Sequence, residues 1–195
     1  MGAIFQSLGR TVTAGVVILV VIALIAGTYG KMGEHAWWAF FFRWLHVMSG
    51  VMWIGLLWYF NFVQTPSMPK IPDEQKPAIS KVIAPTALFW FRWAAMATLV
   101  TGLILAWMNG YIGKALAFSS KDHYAIGLGM WIAVIMWFNV WFIIWPNQKK
   151  ALGIVQVSPE DKAAAAKMAG MTSRINTMLS IPMLFCMVAQ QNGGL

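Results

Sequence analysis

The chain has 195 residues, of which 59% are hydrophobic and only 10% are charged. A soluble domain carries about a quarter charged residues, so this composition excludes an ordinary soluble protein and indicates an integral membrane protein. The net charge of +8 does not indicate nucleic-acid binding, because the basic residues lie in short connectors between apolar runs, where such charges set membrane orientation. We therefore expect the lipid bilayer, and no nucleic acid, as a partner.

Five apolar runs approach or reach the length of roughly 20 residues that a spanning helix needs. No strand pattern competes with them, so we predict an all-α integral membrane bundle that forms a single domain over residues 1–195. The five predicted transmembrane helices cover residues 12–29, 39–63, 84–108, 124–145 and 171–189.

The ends of the later runs carry further signals. Pro85 is predicted to lie in the first turn of the third helix, and Pro146 is predicted to end the fourth. The stretch VSPEDKAAAAKMAGMTSR, which begins in the loop at 146–170 and leads into the fifth run, is typical of a cytoplasmic surface helix. The fifth run contains polar residues and Pro182, which predicts that much of it faces protein rather than lipid.

The basic residues predict how the bundle is oriented in the membrane. With five spans, the N-terminus and the loops at 64–83 and 146–170 share one side, and this side has more Lys and Arg than the other. The excess predicts a cytoplasmic N-terminus and a periplasmic C-terminus. The richer side carries Arg10, Lys70, Lys76, Lys81, Lys149, Lys150, Lys162, Lys167 and Arg174, and the poorer side carries Lys31, Arg43, Lys114 and Lys121.

Two runs repeat one pattern of histidine and glycine. His46, Gly50 and Trp53 fall on one face of the second run, spaced four and three residues apart, and Gly127 follows His123 by four residues in the fourth run. A glycine one turn below a histidine leaves room for a flat macrocycle, and neutral imidazole is a standard axial ligand of haem iron. The pattern predicts a haem b site with His46 and His123 as candidate iron ligands.

A purely structural interpretation of the same residues stays open. A lone histidine in a membrane helix often hydrogen-bonds a neighbouring helix, and glycine often marks close helix packing. His46 lies about two turns inside its run, whereas His123 lies at the end of its own, an offset of about 10 Å at 1.5 Å per residue. The single cysteine, Cys186, forms no internal disulfide, and without a CxxCH motif it indicates no covalently attached haem.

Other polar residues surround this pattern. Arg43, one turn above His46, suits a charge-assisted pair with a haem propionate. Toward the other end of the runs lies a second group: Arg92, Asn139, Arg174 and Asn176. Because an intramembrane arginine needs a partner and no run supplies a carboxylate there, this group either satisfies itself with backbone carbonyls or binds an anionic or quinone-like substrate.

Four stretches resemble one known family. In this order, FRWLHVMSGVMWIGLLWYFNFVQTPSM, ALFWFRWAAMATLVTGLILAW, MWFNVWFIIWPNQKK and SRINTMLSIPMLFCMVA are similar to the membrane domain of the PuuD-type bacterial urate oxidases (urate hydroxylases), from about Phe42 onward. The LHV–G–WIG pattern more loosely resembles HemJ, a membrane protein whose helical bundle binds haem b through a histidine.

The resemblance implies a multi-pass haem b redox protein of the bacterial inner membrane. It would oxidise a small molecule, with urate or another purine as a candidate, or relay electrons. The PuuD-type enzymes carry more membrane helices and a fused cytochrome c domain, so a periplasmic cytochrome c is the expected partner here. The residues favour an oxidoreductase but leave open an alternative: a non-catalytic structural or assembly subunit of a homo-oligomer or larger membrane complex.

Overall fold

The computed structural model describes residues 2–193, and these residues contain helices and no strand, which confirms the predicted all-α class. The helices are α1 Gly2–Phe5, α2 Leu8–Ile25, α3 His35–Lys70, α4 Lys76–Met108, α5 Ile112–Leu116, α6 Lys121–Ala151 and α7 Pro159–Asn192. Among these described helices, α2, α3, α4 and α6 are long and apolar enough to cross a membrane. The structure thus supplies four of the five predicted spans by length and composition.

The fifth predicted span lies inside α7, which is not one of those four helices. The surface helix and the last span that the sequence predicts as separate elements form one continuous helix, Pro159–Asn192. Its first turn carries Glu160 and Asp161, and the Ser158 side chain accepts a hydrogen bond from the Asp161 N–H, a typical N-cap. The polar first half lowers the apolar content of the whole helix.

The helices α3, α4 and α6 are longer than the sequence predicts because each of them continues past a proline. Proline has no N–H and clashes with the carbonyl four residues earlier, so it normally ends or kinks an α-helix. Here Pro66, Pro85 and Pro146 each follow a π-helical segment whose wider turn carries the helix past the proline. The segments are Tyr59–Gln64, Ile79–Ile83 and Asn139–Ile144.

The predictions based on two of these prolines have different outcomes. The prediction for Pro146 was wrong, because α6 continues to Ala151. Pro85 lies in the first turn of the α-helical segment Ala84–Met108, as predicted, but the π turn Ile79–Ile83 precedes that segment and α4 as a whole begins at Lys76. A π turn makes room for the proline ring within the folded bundle. No periodic pattern in the local sequence predicts such a turn.

The chain forms two compact units that divide between Phe41 and Phe42. Within the first unit, α2 buries none of its described residues, so its apolar surface is left for lipid. Within the second unit, α3, α4, α6 and α7 pack around a core of large apolar side chains. This core includes Trp53, Leu57, Phe91, Met136, Val140, Ile144 and Met183.

Close backbone approach joins α6 to its neighbours. A Cβ at Gly127 would clash with the Ala115 carbonyl oxygen of α5, and a Cβ at Gly129 would lie 3.1 Å from the Cβ of Cys186 on α7. Small residues at such contacts let helices approach closely. Ala115 is also fully buried in a second apolar cluster with Ala106, Ile126 and Met130, which fixes α5 against α6.

Candidate functional site: an apolar cavity beside His46

A cavity of about 650 Å³ lies among the four long helices of the second unit. Its volume is within the range of about 300–1,000 Å³ that is typical of small-molecule and cofactor sites. Most of its wall is apolar, and the polar side chains on it are few. The lining residues used below are Arg43, His46, Gly50, Trp53, Thr98, Gly102, Tyr111, Met130, Met183 and Met187.

His46 projects from α3 and is held by the backbone of α4. Its Nδ1 lies 2.9 Å from the Thr98 carbonyl oxygen, which only accepts hydrogen bonds. The Thr101 hydroxyl, 3.4 Å from the same nitrogen, donates to the Ala97 carbonyl at 2.6 Å. We therefore assign the proton to Nδ1, which leaves the Nε2 lone pair free. A ring N–H held by a backbone carbonyl is the usual support of a metal-ligating histidine.

Gly102 makes room for the imidazole. A Cβ at this position would lie 2.7 Å from the His46 Cε1, closer than real contacts allow, and 3.0 Å from its Nδ1. Thr98 and Gly102 are one turn apart on α4, so one face of that helix both receives the ring and hydrogen-bonds it. Only glycine permits this arrangement.

Two further α3 residues shape the same cavity as the sequence predicts. Gly50 lies one turn from His46 and lines the cavity, and a Cβ there would make ordinary van der Waals contact with Thr98 Cγ2 at 3.9 Å. Trp53 is 1% exposed, and its indole N–H has no hydrogen-bond partner among the described residues. A buried donor left unpaired at a cavity wall fits a site that receives a polar atom from a ligand.

Arg43 and Tyr111 add polar groups to the cavity wall. Arg43 is exposed and lines the cavity one turn before His46. Burial raises the pKa of the Tyr111 phenol, and the Arg43 charge opposes that rise. At neutral pH the phenol therefore keeps its proton and serves as a hydrogen-bond donor, and both groups suit a ligand carboxylate.

His123 and Gly127 do not join this site. Within residues 2–193, neither belongs to the cavity wall. The His123 ring packs on Tyr111 with centroids 5.4 Å apart, and its Nδ1 lies 3.4 Å from the Ser120 hydroxyl. The gap expected beside Gly127 is filled by the Ala115 carbonyl and the Phe118 ring. The structure therefore does not bring the two histidines together at this cavity, and His123 as a second haem ligand stays a prediction.

The second polar group is also only partly assembled. Asn139 donates to Asn176 at 2.8 Å, and Asn176 donates to the Met136 carbonyl at 2.9 Å, so these amides satisfy each other and the backbone. Arg174 is exposed. Arg92 is buried against the Trp145 ring, 3.3 Å from its centroid. The structure supports the structural interpretation for the two asparagines, and it buries Arg92 while Arg174 is exposed.

Several site residues could not be recognised from the sequence. Thr98, Gly102 and Tyr111 contribute through contacts between helices, and nothing in their local sequence marks them. Met130, Met183 and Met187 also line the cavity. The methionine thioether is a further type of haem ligand. Because methionine is common in apolar runs, the sequence does not show which methionines line a site.

The fold and site together define an all-α protein whose apolar helices are long enough to span a membrane and line a histidine-bearing cavity. A family model described as Urate oxidase N-terminal matches residues 111–193. The chain is thus similar to that family over α5, α6 and α7, fewer than half of its 195 residues. The match confirms the predicted resemblance over this part, which includes His123 but not His46. No curated protein and no solved structure matches the chain.

Proposed function

We propose that this chain is a membrane haem b redox protein in which His46 ligates the iron. The observation that carries the proposal is the hydrogen bond between His46 Nδ1 and the Thr98 carbonyl, which leaves the unprotonated Nε2 with a lone pair for a metal beside an apolar cavity. A satisfied core histidine would need no cavity of this size beside it. The similarity to the urate oxidase family adds support for redox chemistry.

The residues that line the cavity fit haem b. The apolar walls suit a porphyrin face, and Gly50 leaves space beside the helix backbone. Arg43 and Tyr111 offer a cation and a phenol to propionates. The Trp53 indole N–H supplies a further donor. When bound, haem b supplies one-electron chemistry, and the low-polarity surroundings set its potential.

The protein's own contribution is positioning and exclusion of water. Thr98 and Gly102 on α4 fix the tautomer and the plane of the His46 ring, which raises the basicity of Nε2. Apolar side chains from α3, α4, α6 and α7 surround the remaining space. The reaction supported best is oxidation of a small molecule, such as a purine, or electron relay to a cytochrome c.

We also propose five spans, with a cytoplasmic N-terminus in the bacterial inner membrane. The fifth span is the second half of α7. There the polar residues Asn176 and Ser180 are fully buried. The opposite face carries Met178, Ile181, Phe185 and Val188, all more than half exposed. Polar residues turned inward and an apolar outer face are what a helix in lipid requires. This orientation places His46 in the outer half, within reach of a periplasmic cytochrome c.

The test is haem retention by purified protein. We expect the wild-type protein to show a dithionite-reduced α-band of haem b, and His46→Ala to lose haem because alanine has no lone pair. His123→Ala is the matched control and should keep haem content and spectrum. Loss of the band in His123→Ala alone would move the site to α6. A wild-type protein without haem after supplementation would favour the structural-subunit alternative.

A further inference from the structure

Arg92 is a buried cation with an unsatisfied donor in the core of the second unit. Its side chain is 8% exposed, and its Nη1 has no hydrogen-bond partner within the described residues. It lies six residues before Thr98 on α4, about 9 Å further along the helix from the His46 contact at 1.5 Å per residue. A guanidinium in such a place needs an acceptor, since an unpaired buried charge is costly.

The face of α6 opposite Arg92 carries further unsatisfied polar groups. Trp137, Trp141, Trp145 and Gln148 follow each other at spacings of four, four and three residues, so they share one helix face. Contacts show that this face meets α4: Trp145 lies under Arg92, and the Trp141 ring lies 5.5 Å from that of Trp93.

Three atoms on this face have no partner in the part of the chain that the structure describes. They are the indole nitrogens of Trp137 and Trp141 and the Oε1 of Gln148. Rotating the Gln148 amide by 180° presents its NH₂ instead, because the two ends of an amide are interchangeable in shape. Arg92 and this face then offer several N–H donors and a positive charge, but no acceptor to receive them.

The charge around Arg92 is positive and is not balanced by the chain. Lys149 also lies over the Trp145 ring, at 5.7 Å from its centroid. All six acidic residues lie in connectors or in first helical turns. The ion pair recorded for residues 2–193 joins Lys76 to Asp73 on the surface. Asn139 and Asn176, the polar side chains expected nearby, hydrogen-bond each other.

We propose that Arg92, with the indole N–H of Trp141 on the facing side of α6, binds an oxyanion supplied from outside the chain. A carboxylate or phosphate oxygen accepts from guanidinium and indole N–H groups and provides the missing counter-charge. The oxyanion belongs either to a phospholipid headgroup or to a free solute. This site does not depend on haem at His46, and its test uses no haem readout.

Ligand-induced stabilisation tests the site, because a ligand that binds only the folded state raises the melting temperature. Unfolding of detergent-purified protein is followed in phosphate or acetate against chloride at equal ionic strength. A second series compares nanodiscs of phosphatidylcholine with nanodiscs that also contain phosphatidylglycerol. We expect the wild type to gain about 2–4 °C in one series, equivalent to a modest binding free energy.

Arg92→Gln should abolish this gain, while Arg174→Gln, which alters an exposed arginine, should retain it. Trp141→Phe keeps the ring and removes one N–H, so it should weaken the gain even if Arg92→Gln fails to fold. A gain with phosphate or acetate in detergent assigns a solute, and a gain confined to phosphatidylglycerol assigns a lipid phosphate. The proposal is overturned if the wild type gains nothing in either series, or if Arg92→Gln or Trp141→Phe gains as much as the wild type does.

Discussion

Gly102 and His46 are coupled by direct contact, and this coupling can be measured without any ligand. A methyl group added to Gly102 would lie 2.7 Å from His46 Cε1, so the ring must move and its hydrogen bond to Thr98 is disturbed. Overpacking of this kind costs about 1–3 kcal/mol. The gain in helix propensity from glycine to alanine is about 1 kcal/mol and offsets only part of it.

We therefore predict that Gly102→Ala lowers the free energy of unfolding in detergent. Gly55→Ala is the matched control, because Gly55 also lines the cavity but a Cβ there meets nothing within 4 Å. That control should be neutral or slightly stabilising. Equal stability changes in the two variants would show that the His46 ring does not occupy the space beside Gly102.

The residues of the cavity show which part of a site a sequence can predict. His46, Gly50 and Trp53 lie on one helix face, so their spacing alone places them together, and the structure agrees. The same spacing failed at Gly127, because α5 approaches its free side and fills it. Thr98 and Gly102 act across a helix interface, and the register between two helices is set by packing that no single run encodes.

Among the helices, α6 and α7 are joined by a buried amide pair. Asn176 accepts from Asn139 and donates to the Met136 carbonyl, and it is fully buried. Removing one amide leaves the other unpaired, whereas replacing both with apolar groups removes the mismatch. Interhelical hydrogen bonds in membrane proteins contribute about 0.6 kcal/mol on average and up to about 1.7 kcal/mol.

We predict that Asn139→Leu and Asn176→Leu each destabilise the bundle, and that the double variant is less destabilised than the sum of the two. Unfolding of all four proteins in one detergent gives the coupling energy, expected at about 0.6–1.7 kcal/mol. Strictly additive losses would mean that the amides do not interact. Asn147→Leu serves as a control, because within residues 2–193 the side chain of Asn147 bonds in its own helix, to the Ile143 carbonyl.

Helix ends were harder to predict than helix cores. The apolar runs identified α2, α3, α4 and α6, because roughly 20 apolar residues are needed to cross a bilayer whatever the packing. The observed helix ends differ from the predicted ones where π turns let the helices continue past Pro66, Pro85 and Pro146. The sequence did not predict that the surface helix and the last span form one helix, α7, because a polar half followed by an apolar half is typical of two separate elements.

At the scale of the whole molecule, the second half of α7 has the length and surface of a membrane span. The segment at 171–189 covers about 28 Å at 1.5 Å per residue, close to the hydrocarbon thickness of about 30 Å. Its outer stripe of Met178, Ile181, Phe185 and Val188 is apolar, and its buried Asn176 is satisfied inside the bundle. These features fit a span better than a surface helix, whose outer face would be polar.

We predict that the two ends of α7 lie on opposite sides of the membrane. Cys186 is the sole cysteine, so Cys186→Ala gives a background for single-cysteine labelling with an impermeant maleimide. Lys162→Cys should be labelled only after the inner membrane is opened, and Asn192→Cys should be labelled in intact spheroplasts. Lys150→Cys and Lys114→Cys calibrate the inner and outer sides. Labelling of both α7 positions from one side would mean that the bundle has four spans. Because an even number of crossings returns the chain to its starting side, the predicted periplasmic C-terminus would then be wrong.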